Sequence, residues 1–442
     1  MSSSTYNRVG PDGKASSPTS FEVRHAIITS NALSTDGTNF DFDISELIAY
    51  FEIYESIDSP SLEVILSIGD AINLMEKLKI SGNETIKLYV QRNEKQSKVK
   101  FELELIIAEI FDYVRLKPGL QTYNIRAVSK HMYINNLTKV SRNFTGSPSD
   151  SIKSICNSEL KIKNLKSEGT SKDNIRGIFP NIRPLEAIRW LTKQSFDDGT
   201  PYFFYQSLSN NGQMHLTSYK QIVNEDVYST YSYNPFIDMD IELETEEGYE
   251  YERQTIREMS SEYGQSKLTG AFMGAYSSKM QTLDIANKSY KTTQYQYNDK
   301  LHKLNAYKPF STSDQSKIID LNLNEHLNAK NYFISLNSKA FNETGNYMSI
   351  ASLDLQKAAA YLENLNNQTH KIQIAGDFNI KAGDKIKIEI RKAQEEADGS
   401  GLDKMQSGIY VITEIQHIFK KGFYQYLTIQ KDSSEVNLDA AR

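Results

Sequence analysis

Hydrophobic and polar residues alternate with a period of two along much of this chain, the pattern of strands with one wet face. Structure is expected to begin at 21–28 (FEVRHAII). In 61–68 (SLEVILSI) Leu62, Val64, Leu66 and Ile68 share a face, as do Ile86, Leu88 and Val90 in 85–90 (TIKLYV). In 99–107 (VKFELELII) Val99, Phe101, Leu103 and Leu105 oppose Lys100, Glu102 and Glu104. A short helix over 70–78 (DAINLMEKL), capped by Asp70 and carrying Ile72, Met75 and Leu78 on one side, is predicted between two of these strands. Residues 21–140 therefore read as a β-rich barrel or sandwich with one small helix. The Ser-, Gly- and Pro-rich stretch 1–20 reads as a flexible N-terminal arm.

After the turn-rich 145–150 (TGSPSD) the period lengthens. Ile152, Ile155 and Cys156 are spaced as one helix face, and 181–193 (NIRPLEAIRWLTK) predicts a second helix with Pro184 in its first turn. Leu185, Ile188 and Leu191 mark its inner face, and Trp190 reads as core. Residues 201–208 (PYFFYQSL), Asn210-Asn211-Gly212 and 214–219 form a hairpin signal. Residues 141–235 thus predict a small α+β domain. In 237–244 (IDMDIELE) Ile237, Met239, Ile241 and Leu243 face one way, and Asp238, Asp240, Glu242 and Glu244 the other. Residues 255–330 are polar and weakly periodic and read as long loops or an irregular insertion. A helix over 354–362 and strands over 371–374, 385–390, 408–419 and 424–430 follow, with a surface loop at 393–407. This makes 236–435 a second β-rich block and leaves 436–442 as a C-terminal tail.

Composition narrows the function. The 442 residues allow two to four domains at roughly 100–200 residues each, and 39% hydrophobic residues suffice for real cores. The 56 acids outweigh the 50 bases, which argues against a general or sequence-specific nucleic-acid binder. No stretch reaches the ~18 apolar residues of a membrane span, and 1–20 lack the apolar run of a secretory signal. The single cysteine, Cys156, can form neither an intramolecular disulfide nor, alone, a thiolate zinc cage. The 27 tyrosines suit half-buried strands and wet interfaces.

Catalytic patterns are missing. There is no HExxH, GxSxG, Walker A or dinucleotide GxGxxG run. The histidines (His25, His131, His215, His302, His326, His370, His417) show no ligand spacing, and no cofactor or metal is expected. Gly376-Asp377 and Gly383-Asp384 read as tight turns joining short strands, with Gly supplying a positive φ and Asp bonding the turn backbone. A calcium loop would need a denser run of acids. The acids Asp238, Asp240, Glu242 and Glu244 fit a solvated outer strand face. They equally fit the wall of a water-filled channel, where an acidic lining repels DNA phosphates.

Five stretches in order resemble the baseplate hub family of contractile-tailed, T-even-like phages, which is related to the spike base of type VI secretion systems. Residues 43–66 carry an E-S-I-x-x-P-x-L core beginning at Glu55, and 137–155 a K-V-S-x-x-F-x-G then S-D-x-I run. Residues 183–205 carry P-x-x-A-I-x-W-L and then Y-F-F-Y; 374–390 carry G-D-x-x-I-x-x-G-D-x-I-x-I. Residues 407–417 carry S-G-x-Y-x-I-x-x-I-x-H, ending at His417, with Lys431-Asp432-Ser433 further on. Residues 255–330, the 393–407 loop and both termini depart from the pattern.

The resemblance implies a mainly β fold with α+β insertions: two tail-tube-like β-barrel domains per chain, plus smaller inserted domains, assembling as a trimeric ring. Such a homotrimer adapts a sixfold tail tube above to a threefold central spike below, and passes DNA or tape-measure protein through a channel. It implies a non-enzymatic structural protein of the virion tail baseplate, made in the host cytoplasm, in contact with tube or tube-adaptor proteins and the baseplate wedge, without membrane insertion. The trimer interface would be of the obligate class, above roughly 2,000 Å², with Tyr- and Phe-rich strands supplying much of it. The hub of an extracellular or type VI injection particle is the near alternative. The absence of a β-helix repeat before residue 442 favours a separate spike protein. A cell-wall-degrading or receptor-binding tail component is the alternative from another class.

Overall fold

The computed structural model describes residues 18–33, 39–80, 82, 84–93, 98–169, 174–233, 246–263, 267–296, 330–336, 353–366, 368–392, 401–403 and 405–432. The chain is mainly β, organised by one sheet of 13 strands. Its path runs Glu258–Tyr263, Gln368–Ala375, Phe423–Lys431, Gly408–Phe419, Ile48–Ser56, Glu63–Asp70, Leu120–Ser129, Lys98–Lys117, Thr85–Asn93, Glu22–Leu33, Asn39–Asp43. Neighbours on this path are antiparallel. The early and late β-rich stretches are therefore not merely adjacent: their ladders join where Phe51–Ser56 pairs with Glu414–Phe419.

The join is a fork. One edge of Gly408–Phe419 carries Phe423–Lys431 along most of its length. The other edge is shared in turn, by Lys385–Ile388 opposite Gly408–Val411 and then by Phe51–Ser56 opposite Glu414–Phe419. A register shift between Ile412 and Glu414 marks the handover. The far edge of Lys385–Ile390 is covered by Val227–Tyr233, running parallel to it. The Lys/Ile-alternating strand is thus paired on both edges within the chain.

Alternation places the core. In Glu63–Asp70 and Leu120–Ser129 every second residue is buried, and Val64, Leu66, Ile68, Tyr123, Ile125 and Ala127 fill one core. That core continues into an aromatic column. Phe51 stacks on Phe419 (centroids 4.3 Å, 8° between planes) and Phe419 on Phe423 (4.2 Å, 5°), while Phe21 and Phe378 meet Phe419 at 5.2 and 6.0 Å. Each such ring contributes about 1.5–3 kcal/mol by burial. The phenylalanines expected to serve contacts between chains are, in this column, buried inside one. A second core lies around Ile372, Ile374, Ile386, Ile388, Ile412 and Leu427.

The α+β segment packs on the fork. Ser147 caps helix Pro148–Ser158, accepting the Asp150 N–H at 3.1 Å, and Ile152, Ile155 and Cys156 are fully buried. Helix Pro184–Lys193 buries Ala187, Ile188 and Leu191 beside it. Trp190 is not core: it is 38% exposed, one edge against Phe144 at 5.7 Å, because it falls at the margin of the helix's inner face. Strands Thr200–Gln206 and Met214–Ser218 form the expected hairpin, turning on Asn210, Asn211 and Gly212, all at positive φ. Every residue of both strands is buried, since helices and the fork cover both faces.

Four further expectations need correction. Within 255–330 lie regular strands, Glu258–Tyr263 in the main sheet and Ser277–Asp284 between Ser289–Gln296 and Asn331–Leu336 in a separate one. Periodicity is weak in 289–296 because that strand is exposed on both faces for most of its length, and in 277–284 because most of its buried positions carry polar residues. Asp70 ends a strand rather than opening a helix, although its carboxylate accepts the Ile72 and Leu74 N–H groups (2.9 and 2.8 Å); the helix shrinks to Leu74–Leu78. The end of the predicted arm is packed: Thr19 and Ser20 are buried, and the Thr19 carbonyl accepts the Phe423 N–H at 2.7 Å. In the 393–407 loop, Leu402 bridges to Arg391 and residues 405–407 are tied down from below.

Candidate functional site

The resemblance-bearing residues converge at the fork. Glu55, Gly376, Asp377, Gly383, Asp384 and His417 surround it, and none of the three acids and the imidazole is more than 5% exposed. Asp238, Asp240, Glu242 and Glu244 lie outside the described residues, as do His302 and His326.

Glu55 is the hinge pin. Strand Ile48–Ser56 turns Phe51, Ile53 and Glu55 inward, so alternation alone carries a carboxylate into the core. Its Oε1 accepts the Ala382 N–H at 2.6 Å and its Oε2 the Leu208 N–H at 2.5 Å. One side chain thereby joins the first ladder, the α+β segment and the 376–384 turns. A buried charge is tolerated where such donors replace water. His417 Nε2 stands 3.7 Å from Glu55 Oε2.

Gln425 settles the rest. Its Oε1 accepts the Asp377 N–H at 2.9 Å and its Nε2 donates to the Asp377 carbonyl at 2.7 Å, reading both backbone groups as a strand would. The amide orientation is thus fixed, and its other N–H points to His417 Nδ1 at 2.9 Å. His417 Nδ1 must accept, so the ring proton sits on Nε2, facing Glu55.

The two Gly-Asp turns are built differently. Gly383 has φ +91°, as expected, donates to Ile412 O at 2.8 Å, and is followed by Asp384 O accepting the Ile412 N–H at 3.0 Å. Gly376 has no positive φ; a Cβ there would fall into the Phe423 ring. Its carbonyl accepts from buried Arg92, whose other terminal nitrogen meets Tyr249 Oη at 2.9 Å. The Asp377 carboxylate accepts from Asn379 N (2.9 Å), Tyr228 Oη (2.8 Å) and Arg253 (3.0 Å). Asp384 pairs with Lys381 and also accepts its backbone N–H at 3.0 Å. Burial nevertheless outweighs Lys381 and pushes the Asp384 carboxyl up to about 6. The same burial, aided by Lys381, lowers His215 to about 4 where it stacks on Tyr205 at 5.0 Å.

The site is fully internal, and its polar atoms are mostly spent on backbone groups of other segments. That chemistry holds parts together. Among the described residues no group of three metal-ligating side chains occurs, and no helix is long and apolar enough to cross a membrane. Arg92, Gln425 and Gln206 were not singled out from the sequence. Arg92 and Gln425 stand at inward positions of alternating strands, which is the signal that finds them, whereas Gln206 ends a strand buried at every position, where no alternation marks it. Gln206 accepts from Leu62 N (2.9 Å) and Ser129 Oγ (2.6 Å) and donates to Gly212 O (2.9 Å).

No protein-family model matches the chain, and no curated protein matches it in sequence. Its fold is that of phage tail proteins. A tail protein from Neisseria meningitidis MC58 superposes with TM-score 0.51 at 11% identity, over 92% of this chain and 96% of that one. The 43 kDa tail protein of prophage MuSo2 from Shewanella oneidensis gives 0.50 at 8% identity, over 92% and 99%. A PdpA–VgrG complex gives 0.48 at 12% identity, over 94% and 66%.

Proposed function

We propose that this chain is a non-enzymatic structural protein of a phage tail, and specifically the central hub of a contractile-tail baseplate. The observation that carries the reading is the end-to-end likeness to tail proteins, spanning 92% of this chain and 96% of the Neisseria protein. The fork agrees with it: buried polar groups weld two ladders and the α+β segment into one body, as a load-bearing part requires. In this reading three copies close a ring that matches a sixfold tube above to a threefold spike below, and touch tape-measure and wedge proteins. Two tube-like barrel domains, over 21–140 and 236–435 with the α+β domain between, are the units of that ring. Asp238, Asp240, Glu242 and Glu244 line its channel, so that a polyanion passes without sticking.

Light scattering on the purified chain, with negative-stain imaging, tests this. A mass three times 50.3 kDa and a ring with a central hole are expected. A monomer at micromolar concentration, or a trimer without a hole, overturns it.

A further inference from the structure

A second buried cluster, which the fork does not use, lies beneath residues 405–407. Lys431 is 1% exposed, and its Nζ donates to the carbonyls of Met405 (2.8 Å), Ser407 (2.9 Å) and Gln406 (3.4 Å). The ammonium stands 4.9 Å from the Tyr410 ring centre. The Tyr410 hydroxyl also donates to Gln406 O, and lies 3.2 Å from Gln368 Oε1. His370, wholly buried, meets that hydroxyl through Nε2 at 2.9 Å. Since the hydroxyl proton is committed to oxygen acceptors, the imidazole must donate, and Nε2 carries its hydrogen. Among the described residues, His370 Nδ1 is then a bare lone pair with no hydrogen-bond partner.

We propose that His370, Tyr410 and Lys431 form an acid-operated latch that holds residues 405–407 down at neutral pH and releases them in acid. A second proton on His370 has to sit on Nδ1, where no acceptor waits among the described residues, and adds a positive charge beside caged Lys431. Among the described residues, the titratable groups bearing on the ring are Lys431 and Tyr410 from strands Phe423–Lys431 and Gly408–Phe419, and Asp403 from the loop. Strand Glu258–Tyr263 presents Ser261 opposite His370. The Asp403 carboxylate is already engaged, accepting the Met405 and Gln406 N–H groups at 2.9 and 3.1 Å. Protonation is accommodated by admitting water or moving Lys431 out. Either lifts 405–407, whose carbonyls are the cage.

Burial, then Lys431, lowers His370 to about 4 in the closed state, against the opposing pull of Asp403. The opened form titrates near the ordinary value of about 6.5. The stabilisation is therefore complete above about pH 6.5 and is lost as pH falls from there toward 4. The open fraction rises by up to about tenfold per pH unit across that window.

Hydrogen exchange of the Met405, Gln406 and Ser407 amides on the full chain, corrected for intrinsic rates and referenced to the amides of Phe423–Lys431, tests the latch between pH 7 and 4.5. A loop-specific rise approaching tenfold per unit is expected in the wild type, and a flat profile in His370→Gln. A flat wild-type profile, or an unchanged slope in His370→Gln, overturns it. Should that variant not fold, C2-proton exchange of His370 in the wild type decides: a midpoint below about 5 supports the latch, and one near 6.5 ends it.

Discussion

The two Gly-Asp turns share a dipeptide and lie seven residues apart, yet opposite constraints hold them. At Gly383 the backbone decides: φ is +91°, a region costly for any side chain with a Cβ. At Gly376 the backbone is ordinary and the neighbour decides, because the stacked Phe423 ring occupies the space a methyl would need. The aspartates divide the same way. Asp377 reaches out to Tyr228 and Arg253 on other segments, whereas Asp384 is satisfied within its own turn by Lys381. A repeated motif therefore marks two mechanical roles: one turn is shaped locally, the other is clamped by what packs on it.

The sharpest break of this comparison is Gly376→Ala. The aromatic column cannot yield, and a loss of ~3 kcal/mol in chemical denaturation is expected from overpacking; a loss under about 1 kcal/mol would mean the column is soft. Glu55→Gln should come next, at ~2 kcal/mol, since the amide can accept only one of the two buried N–H groups and offers a donor to the other. A double-mutant cycle with Gln425→Leu should show non-additivity, as both act on the 376–384 turns.

Gly383→Ala should lose ~1–2 kcal/mol, chiefly from the positive φ. Adding Tyr205→Phe, which removes the hydroxyl 2.5 Å from the site of the new Cβ, should recover only a minor part. The smallest effect separates the aspartates by pH. The Asp384 carboxyl is raised to about 6 in the fold, above its ordinary 3.8. Its contribution is thus present below about pH 4 and lost as pH rises through 6. Thermal melts of Asp384→Asn should lack that gain on acidification, and a wild-type-like slope would remove Asp384 from the account.

Much of the fold was legible because strands declare themselves by alternation. Residues 61–68, 85–90, 385–390 and 408–419 became strands within a few residues of the expected bounds, and the Ile152/Ile155/Cys156 face was buried as read. The polar pins were legible in principle by the same rule. Glu55 follows Phe51 and Ile53 inward, Arg92 follows Leu88 and Val90, and Lys431 follows Leu427 and Ile429. The strand of 277–284 escaped because its buried positions carry Ser277, Ser278, Thr282 and Asp284 beside a single Met280, and that of 289–296 because most of its length is exposed on both faces.

What the chain determined by itself is local: which positions turn inward, where helices cap, and where glycine is tolerated, because these depend on neighbours one to four residues away. Tertiary structure alone decided that strand 408–419 would divide one edge between two partners. It also decided that Glu55 would find amide donors at Leu208 and Ala382, more than 150 and 300 residues distant. Such contacts form only when packing brings separate segments within about 3 Å, and no periodicity along a chain encodes the identity of a partner that far away.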